Sequence, residues 1–166
     1  TTLKNHFRKD FSSVHVVDYD PETGEVLQKN THQGYSDDSA WSRGQSWGLY
    51  GYTVCYRETK DPKYLEQARH IANFIETNPN LPDDQIPYWD YNVPKDKDTP
   101  RDASAAAIMA SALYELSTYV DQKEGKEYVE WANKIMASLS SPQYLAEGGT
   151  NEGFLLKHCV GHLPGN

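Results

Sequence analysis

The chain has 166 residues, with 16 Lys and Arg against 24 Asp and Glu for a net charge of −8. No basic stripe is present to neutralise phosphates, which argues against a nucleic-acid partner. A mean hydropathy of −0.79 and the lack of a membrane-length apolar run argue against a spanning helix.

Taken in chain order, a short helix is admitted within 1–12. Residues 14–30, which run through Asp20-Pro21-Glu22-Thr23-Gly24, then read as a hairpin turning at Pro21–Gly24. Residues 40–58 predict a helix despite Gly44, Gly48 and Gly51, each of which costs about 1 kcal/mol against Ala. Close backbone packing or an approaching ligand would offset that cost. Cys55 lies in the apolar run Tyr52, Val54, Tyr56 and reads as a small buried hydrophobe. With Cys159 it makes neither a disulfide framework nor a CxxC metal site.

Asp61-Pro62 opens a second helix over 63–77, with Tyr64, Ala68, Ile71 and Ile75 on one face. A proline-rich loop over 79–101 carries Tyr88-Trp89-Asp90-Tyr91, which suits either a cleft wall or a plug beneath the loop. Asp102 is a candidate N-cap for a helix over 102–120, whose small-residue seam runs through Ala106, Ala110, Leu113 and Ser117. A last helix covers 125–139, with Tyr128, Ala132, Ile135 and Leu139 on its apolar face. The tail carries Pro142, a Gly148-Gly149 turn and a stretch at 153–160 expected to be extended.

An offset of 64 superposes two of these segments. Asp38 falls on Asp102, Leu49 on Leu113, Tyr50 on Tyr114, Tyr64 on Tyr128, Ala68 on Ala132 and Ile71 on Ile135. Two helical hairpins, about 40–78 and 102–139, therefore repeat one plan. Stacked hairpins build either an open solenoid or a closed α/α toroid, and a repeat of this length with long loops favours the toroid. The fold class is accordingly all-α, with 1–166 forming part of one α/α barrel. Four or five helices cannot close such a ring, so the remainder of the barrel is expected as a partner outside this chain.

Residues 33–51 combine Tyr35, Trp41, Trp47 and Tyr50 with Gln33, Asp37, Asp38, Arg43 and Gln45. Aromatic faces that stack on a sugar ring, mixed with planar donors and acceptors that fix hydroxyls and carboxylates, are what a saccharide cleft requires. Arg43 and Trp47 are four apart and share a helix face: a carboxylate clamp beside a sugar platform, or a cation–π pair packing two helices. Tyr35 and Trp41 line or support the cleft. Asp37 and Asp38 are adjacent and point apart, so Asp38 reads as the N-cap of the first long helix, as Asp102 is of its counterpart. The spacing of His158 and His162 matches no recognised zinc site, and no metal is expected.

The run 32–51, His-Gln-Gly-Tyr-Ser-Asp-Asp-Ser-Ala-Trp-Ser-Arg-Gly-Gln-Ser-Trp-Gly-Leu-Tyr-Gly, resembles the signature of the unsaturated glucuronyl hydrolases, glycoside hydrolase family 88. Asp102-Ala-Ser-Ala-Ala-Ala and Lys157-His-Cys-Val-Gly-His-Leu-Pro-Gly-Asn are similar to its later motifs, so the resemblance covers the whole chain. It implies an (α/α)6 barrel, no cofactor, and removal of a 4,5-unsaturated uronic acid from the non-reducing end of lyase-generated oligosaccharides. In that chemistry an Asp protonates C4 of the vinyl ether, water adds at C5, and the hemiketal collapses. The resemblance places His15 and Gln33 near the reacting carbons as supporting residues. It gives substrate contact to Arg43 and Trp47, with Tyr35, Trp41 and His162 as further candidates.

The acid Asp and a second essential Asp would lie upstream of this chain, which is read as a C-terminal-half fragment. The related unsaturated rhamnogalacturonyl hydrolases and a non-catalytic carbohydrate-binding module are the alternatives. Exposed edges of a partial toroid would make the fragment self-associate.

Overall fold

A computed structural model describes residues 1–165. It contains α1 (Thr2–Asn5), β1 (Val16–Tyr19), β2 (Val26–Asn30), α2 (Ser42–Thr59), α3 (Pro62–Glu76), α4 (Ala103–Leu116) and α5 (Gln122–Leu139), with 3₁₀ turns at Asn151–Gly153 and Leu163–Gly165. The last residue of the third motif, Asn166, lies outside the described residues.

The expected helix in 1–12 shrinks to one turn. The chain doubles back instead, with Val14 N–H donating to His6 O at 2.8 Å and Arg8 N–H to Ser12 O at 2.9 Å. Phe11 takes the left-handed conformation, φ 67°, that such a reversal needs. The hairpin forms as expected: β1 and β2 pair antiparallel from Val16↔Asn30 to Tyr19↔Val26, with an irregularity at Asp18/Tyr19. Its turn is made by Asp20, whose Oδ1 accepts from Glu22 N and Thr23 N at 2.8 Å each, and by Gly24 at φ 73°.

Three of the long helices open on an Asp. Asp61 accepts from Lys63 N ahead of Pro62 at the first helical position, Asp102 from Ser104 N and Ala105 N, and Asp121 from Lys123 N and Glu124 N. The expected cap at Asp38 is not made. Asp38 lies instead in a turn closed by Ser39 N–H on Ser36 O at 3.0 Å, Ser42 N–H donates to Trp89 O at 3.2 Å, and α2 begins only after Trp41. The proline-rich loop thus satisfies the N–H of Ser42, the first residue of α2, and no side chain caps the helix. The repeat therefore holds in the helices but not at their starts.

Each hairpin closes on itself, α2 with α3 and α4 with α5, and α2 lies beside α4. Their N-termini are joined by Arg43–Asp102 at 2.6 Å and their C-termini by Arg57–Glu115 at 3.1 Å, so the two helices run parallel. The offset-64 pairs Leu49/Leu113, Ala68/Ala132 and Ile71/Ile135 are all fully buried. Each Leu or Ile removed from water there contributes about 1.5–3 kcal/mol. Helix α4 is buried on most of its circumference, which its alanines permit, although Ser117 is only half-buried.

Cys55 departs from expectation and is exposed. Leu49, Tyr52 and Thr53 face the core, which turns Cys55 to the same open side as Gly48 and Gly51. The stretch 153–160 forms no strand and keeps only an isolated bridge, Leu145↔Leu156. Tyr88-Trp89-Asp90-Tyr91 proves to be a plug: Trp89, Asp90 and Tyr91 are buried, and Trp89 packs with Trp41 and Val93.

Candidate functional site

Helix α2 presents Gly44, Gly48 and Gly51 along one side, and this side forms the wall of a cleft of about 370 Å³. A Cβ on Gly44 would stand 2.8 Å from Cε3 of Trp41, and one on Gly48 would stand 3.1 Å from Phe7. Two of the three glycines thus pay for aromatic seats directly on the helix backbone. Trp41, Trp47 and His15 share the cleft; Trp47 is 52% exposed and meets Tyr50 edge-on at 6.0 Å.

Gln45 anchors the segment that brings His15 there. It is fully buried, and its Oε1 accepts from Ser13 N at 2.7 Å while its Nε2 donates to Phe11 O at 2.8 Å. The His15 ring lies 4.5 Å from the Trp41 ring, tilted by 33°. His15 Nδ1 accepts backbone N–H bonds from His32 and Gln33, each at 3.1 Å. In the neutral imidazole the proton is therefore on Nε2. Burial, followed by the nearby His32, Arg43 and His162, holds the His15 pKa below the ordinary value of 6.5.

Arg43 sits over Trp41, its Cζ 4.6 Å from the ring centroid, so its cation–π partner is Trp41 rather than Trp47. Its Nη1 donates to Asp102 Oδ2 at 2.6 Å, to Ser104 Oγ at 3.3 Å and to Val160 O, and its Nη2 donates to Gly161 O at 2.8 Å. Gln33 Nε2 donates to the same Gly161 O at 2.9 Å, and a ring nitrogen of His162 lies 2.9 Å from His32 O. The segment 158–163 is thereby strapped across the motif loop, with the His32 and His162 rings 4.5 Å apart. Five of the residues singled out from sequence, His15, Gln33, Trp41, Arg43 and His162, form one connected cluster, and Trp47 flanks it.

Tyr35 lies elsewhere. It is 53% exposed and borders a separate groove of about 280 Å³ with Trp89, Val93 and Pro94. Asp37 accepts from Thr31 N at 2.8 Å and so serves the turn before the motif.

Two residues gain importance beyond their sequence reading. Asp102 is more than a cap, since its second oxygen holds Arg43 at a sequence separation of 59, a pairing with no local signal. Asp90 is a fully buried carboxylate that accepts from Ser39 Oγ at 2.6 Å, Asn92 N at 2.9 Å and Tyr35 N at 3.0 Å. Its only cue is an Asp enclosed by Tyr88, Trp89 and Tyr91. Among the described residues no group of three His, Cys, Asp or Glu could hold a metal ion, and no helix is long and apolar enough to cross a membrane.

Paired helical hairpins around an aromatic and hydrogen-bonding cleft define the class: this is part of an α/α barrel. Comparison with known proteins gives its relatives. The whole chain is 48% identical to an unsaturated glucuronyl hydrolase of Formosa agariphila, and 160 residues are 36% identical to an unsaturated chondroitin disaccharide hydrolase of Streptococcus pneumoniae. Among solved structures, an unsaturated glucuronyl hydrolase specific for heparin superposes on 98% of the chain with a TM-score of 0.95 and 55% identity. The Bacillus sp. GL1 unsaturated glucuronyl hydrolase, responsible for the degradation of glycosaminoglycan, superposes on 99% with a TM-score of 0.91 and 31% identity. The chain is homologous to the unsaturated glucuronyl hydrolases along its whole length. It spans 41% of the Formosa protein and 43% of the heparin-specific structure. No family model matches it.

Proposed function

We propose that this chain forms the substrate-holding side of a glycoside hydrolase that removes a 4,5-unsaturated uronic acid from the non-reducing end of lyase-generated oligosaccharides. The observation that carries the reading is the cluster at the cleft: a neutral His15 pinned through Nδ1, a stacked Trp41 and Arg43, and Gln33 on the adjoining loop. A hydrogen bond from the His15 Nε2–H can orient a water or a ring oxygen without adding a cation. Trp47 offers an exposed indole face to a sugar ring, and Arg43 supplies a fixed positive charge toward the uronate carboxylate. Gln33, whose amide both donates and accepts, can hold a water or a sugar hydroxyl beside His15.

In this reading the chain binds and orients the substrate. Protonation of C4, hydration at C5 and opening of the hemiketal are driven by an Asp pair outside the chain, which alone is inactive. The test is loss of the vinyl-ether ultraviolet absorbance of unsaturated chondroitin and heparin disaccharides. Turnover is expected from the chain extended in both directions to the length of its relatives, and none from the 166-residue chain. Turnover by the short chain, or by neither, would refute this division of labour.

A further inference from the structure

The two carboxylate oxygens of Asp102 do different work. Oδ1 faces the start of α4 and accepts from Ser104 N at 3.2 Å and Ala105 N at 3.4 Å, an ordinary N-cap. Oδ2 faces away from the helix and takes Arg43 Nη1 at 2.6 Å, in a pair whose Asp is fully buried and whose Arg is 15% exposed. A cap needs only one oxygen and no charge, for Asn caps as well as Asp. The second oxygen therefore serves something other than the helix.

From Asp102 a continuous line of contacts leads to the imidazole. The Arg43 guanidinium lies 4.6 Å over Trp41, and Trp41 lies 4.5 Å from His15. The circuit closes on the far side, because Arg43 and Gln33 both donate to Gly161 O and Gln33 N–H donates to His15 Nδ1. Rotation of the guanidinium would release one face of Trp41 and one fastening of the 158–163 strap together. Arg43 also keeps donors in reserve: among the described residues its Nε–H makes no hydrogen bond, leaving that edge for an anionic group.

We propose that Asp102 is a positioning residue for the cleft: acting through Arg43, it fixes the Arg43–Trp41–His15 stack in the geometry in which substrate is held. This rests on the function proposed above for its kinetic consequence, but not for its structural one.

Because Asn keeps the capping oxygen and sets an amide N–H against the Arg43 N–H, Asp102→Asn separates the two roles. In the full-length protein D102N is expected to lower kcat/KM on the unsaturated disaccharide by on the order of tenfold to a hundredfold, the scale of a small misplacement in a site. Helix content should be unchanged. The His15 imidazole, followed by NMR, should titrate at lower pH, because the Arg43 charge beside it is no longer compensated; His32 and His162 face the same ring, and both are unaltered.

Arg43→Gln in the same protein completes a double-mutant cycle. In that background D102N should cost less than about twofold, since its route to the cleft is gone. The double variant also restores a neutral hydrogen-bonded pair, so it remains informative if D102N alone fails to fold. A D102N protein with wild-type kcat/KM and an unmoved His15 titration, or equal losses in both backgrounds, would overturn the proposal. If the wild-type protein shows no vinyl-ether turnover the proposed function fails, while the His15 titration still decides this inference.

Discussion

Asp90 ought to be the most costly polar residue to remove. It has no solvent exposure, and its three acceptor contacts tie Tyr35 N, Ser39 Oγ and Asn92 N into one knot beneath the motif loop. Gly34 packs directly on it, since a Cβ there would lie 3.1 Å from Asp90 Oδ2. In Asp90→Asn the amide oxygen can take the place of Oδ2, which leaves an N–H facing the Asn92 N–H. One orphaned donor costs about 1–3 kcal/mol. Asp90→Ala orphans all three donors and leaves a small void, so its cost is about 3–5 kcal/mol, at the upper end of single-residue effects. Urea unfolding of the full-length protein followed by far-ultraviolet circular dichroism measures both values. The order Ala worse than Asn is the critical result. An Asp90→Ala loss below about 0.5 kcal/mol, the scatter of ordinary surface substitutions, would refute the idea that these hydrogen bonds hold the loop.

Gly125 sits in the first turn of α5 with a Cβ position 2.6 Å from the Ser117 carbonyl oxygen. Gly125→Ala should therefore destabilise by about 1–3 kcal/mol in the same unfolding assay despite the better helix propensity of Ala. The pH dependence has a definite sign. His15, and likewise His6, has a folded pKa held below 6.5, first by burial, so the unfolded chain takes up protons before the folded one does. That contribution is intact above pH 6.5 and is lost as pH falls from there toward the folded value, so urea midpoints should drop in that window and drop less in His15→Asn. Carboxylates such as Asp121, held down chiefly by the Glu124 N–H, act only in a more acidic window, below their ordinary 3.8. With Leu155 75%, Phe154 70% and Leu27 65% exposed, the 166-residue chain on its own is expected to self-associate, and a monodisperse monomer on sedimentation would contradict that.

Sequence periodicity was sufficient for three of the four long helices, α3, α4 and α5, because i, i+3, i+4 spacing and Asp caps are local signals, as in Asp61-Pro62 and Tyr64–Ala68–Ile71–Ile75, whereas α2 was read as the hairpin partner of α3. The repeat at 64 gave the pairing of the hairpins, since both copies bury the same Leu, Ala and Ile positions. The composition of 33–51 pointed to the segment whose Trp41 and Trp47 line the cleft, because a cluster of aromatic and planar polar groups is itself a local signal. Tertiary structure alone decided which of those groups meet. Asp38 lost its cap to the Trp89 carbonyl, Tyr35 turned to another groove, Cys55 came to the surface, and Arg43 chose Trp41 and Asp102 over Trp47. The Trp89, Asp102 and Tyr35-groove outcomes depend on partners tens of residues away, brought close only when the proline-rich loop and the C-terminal strap fold over α2. A chain read locally cannot contain that distance.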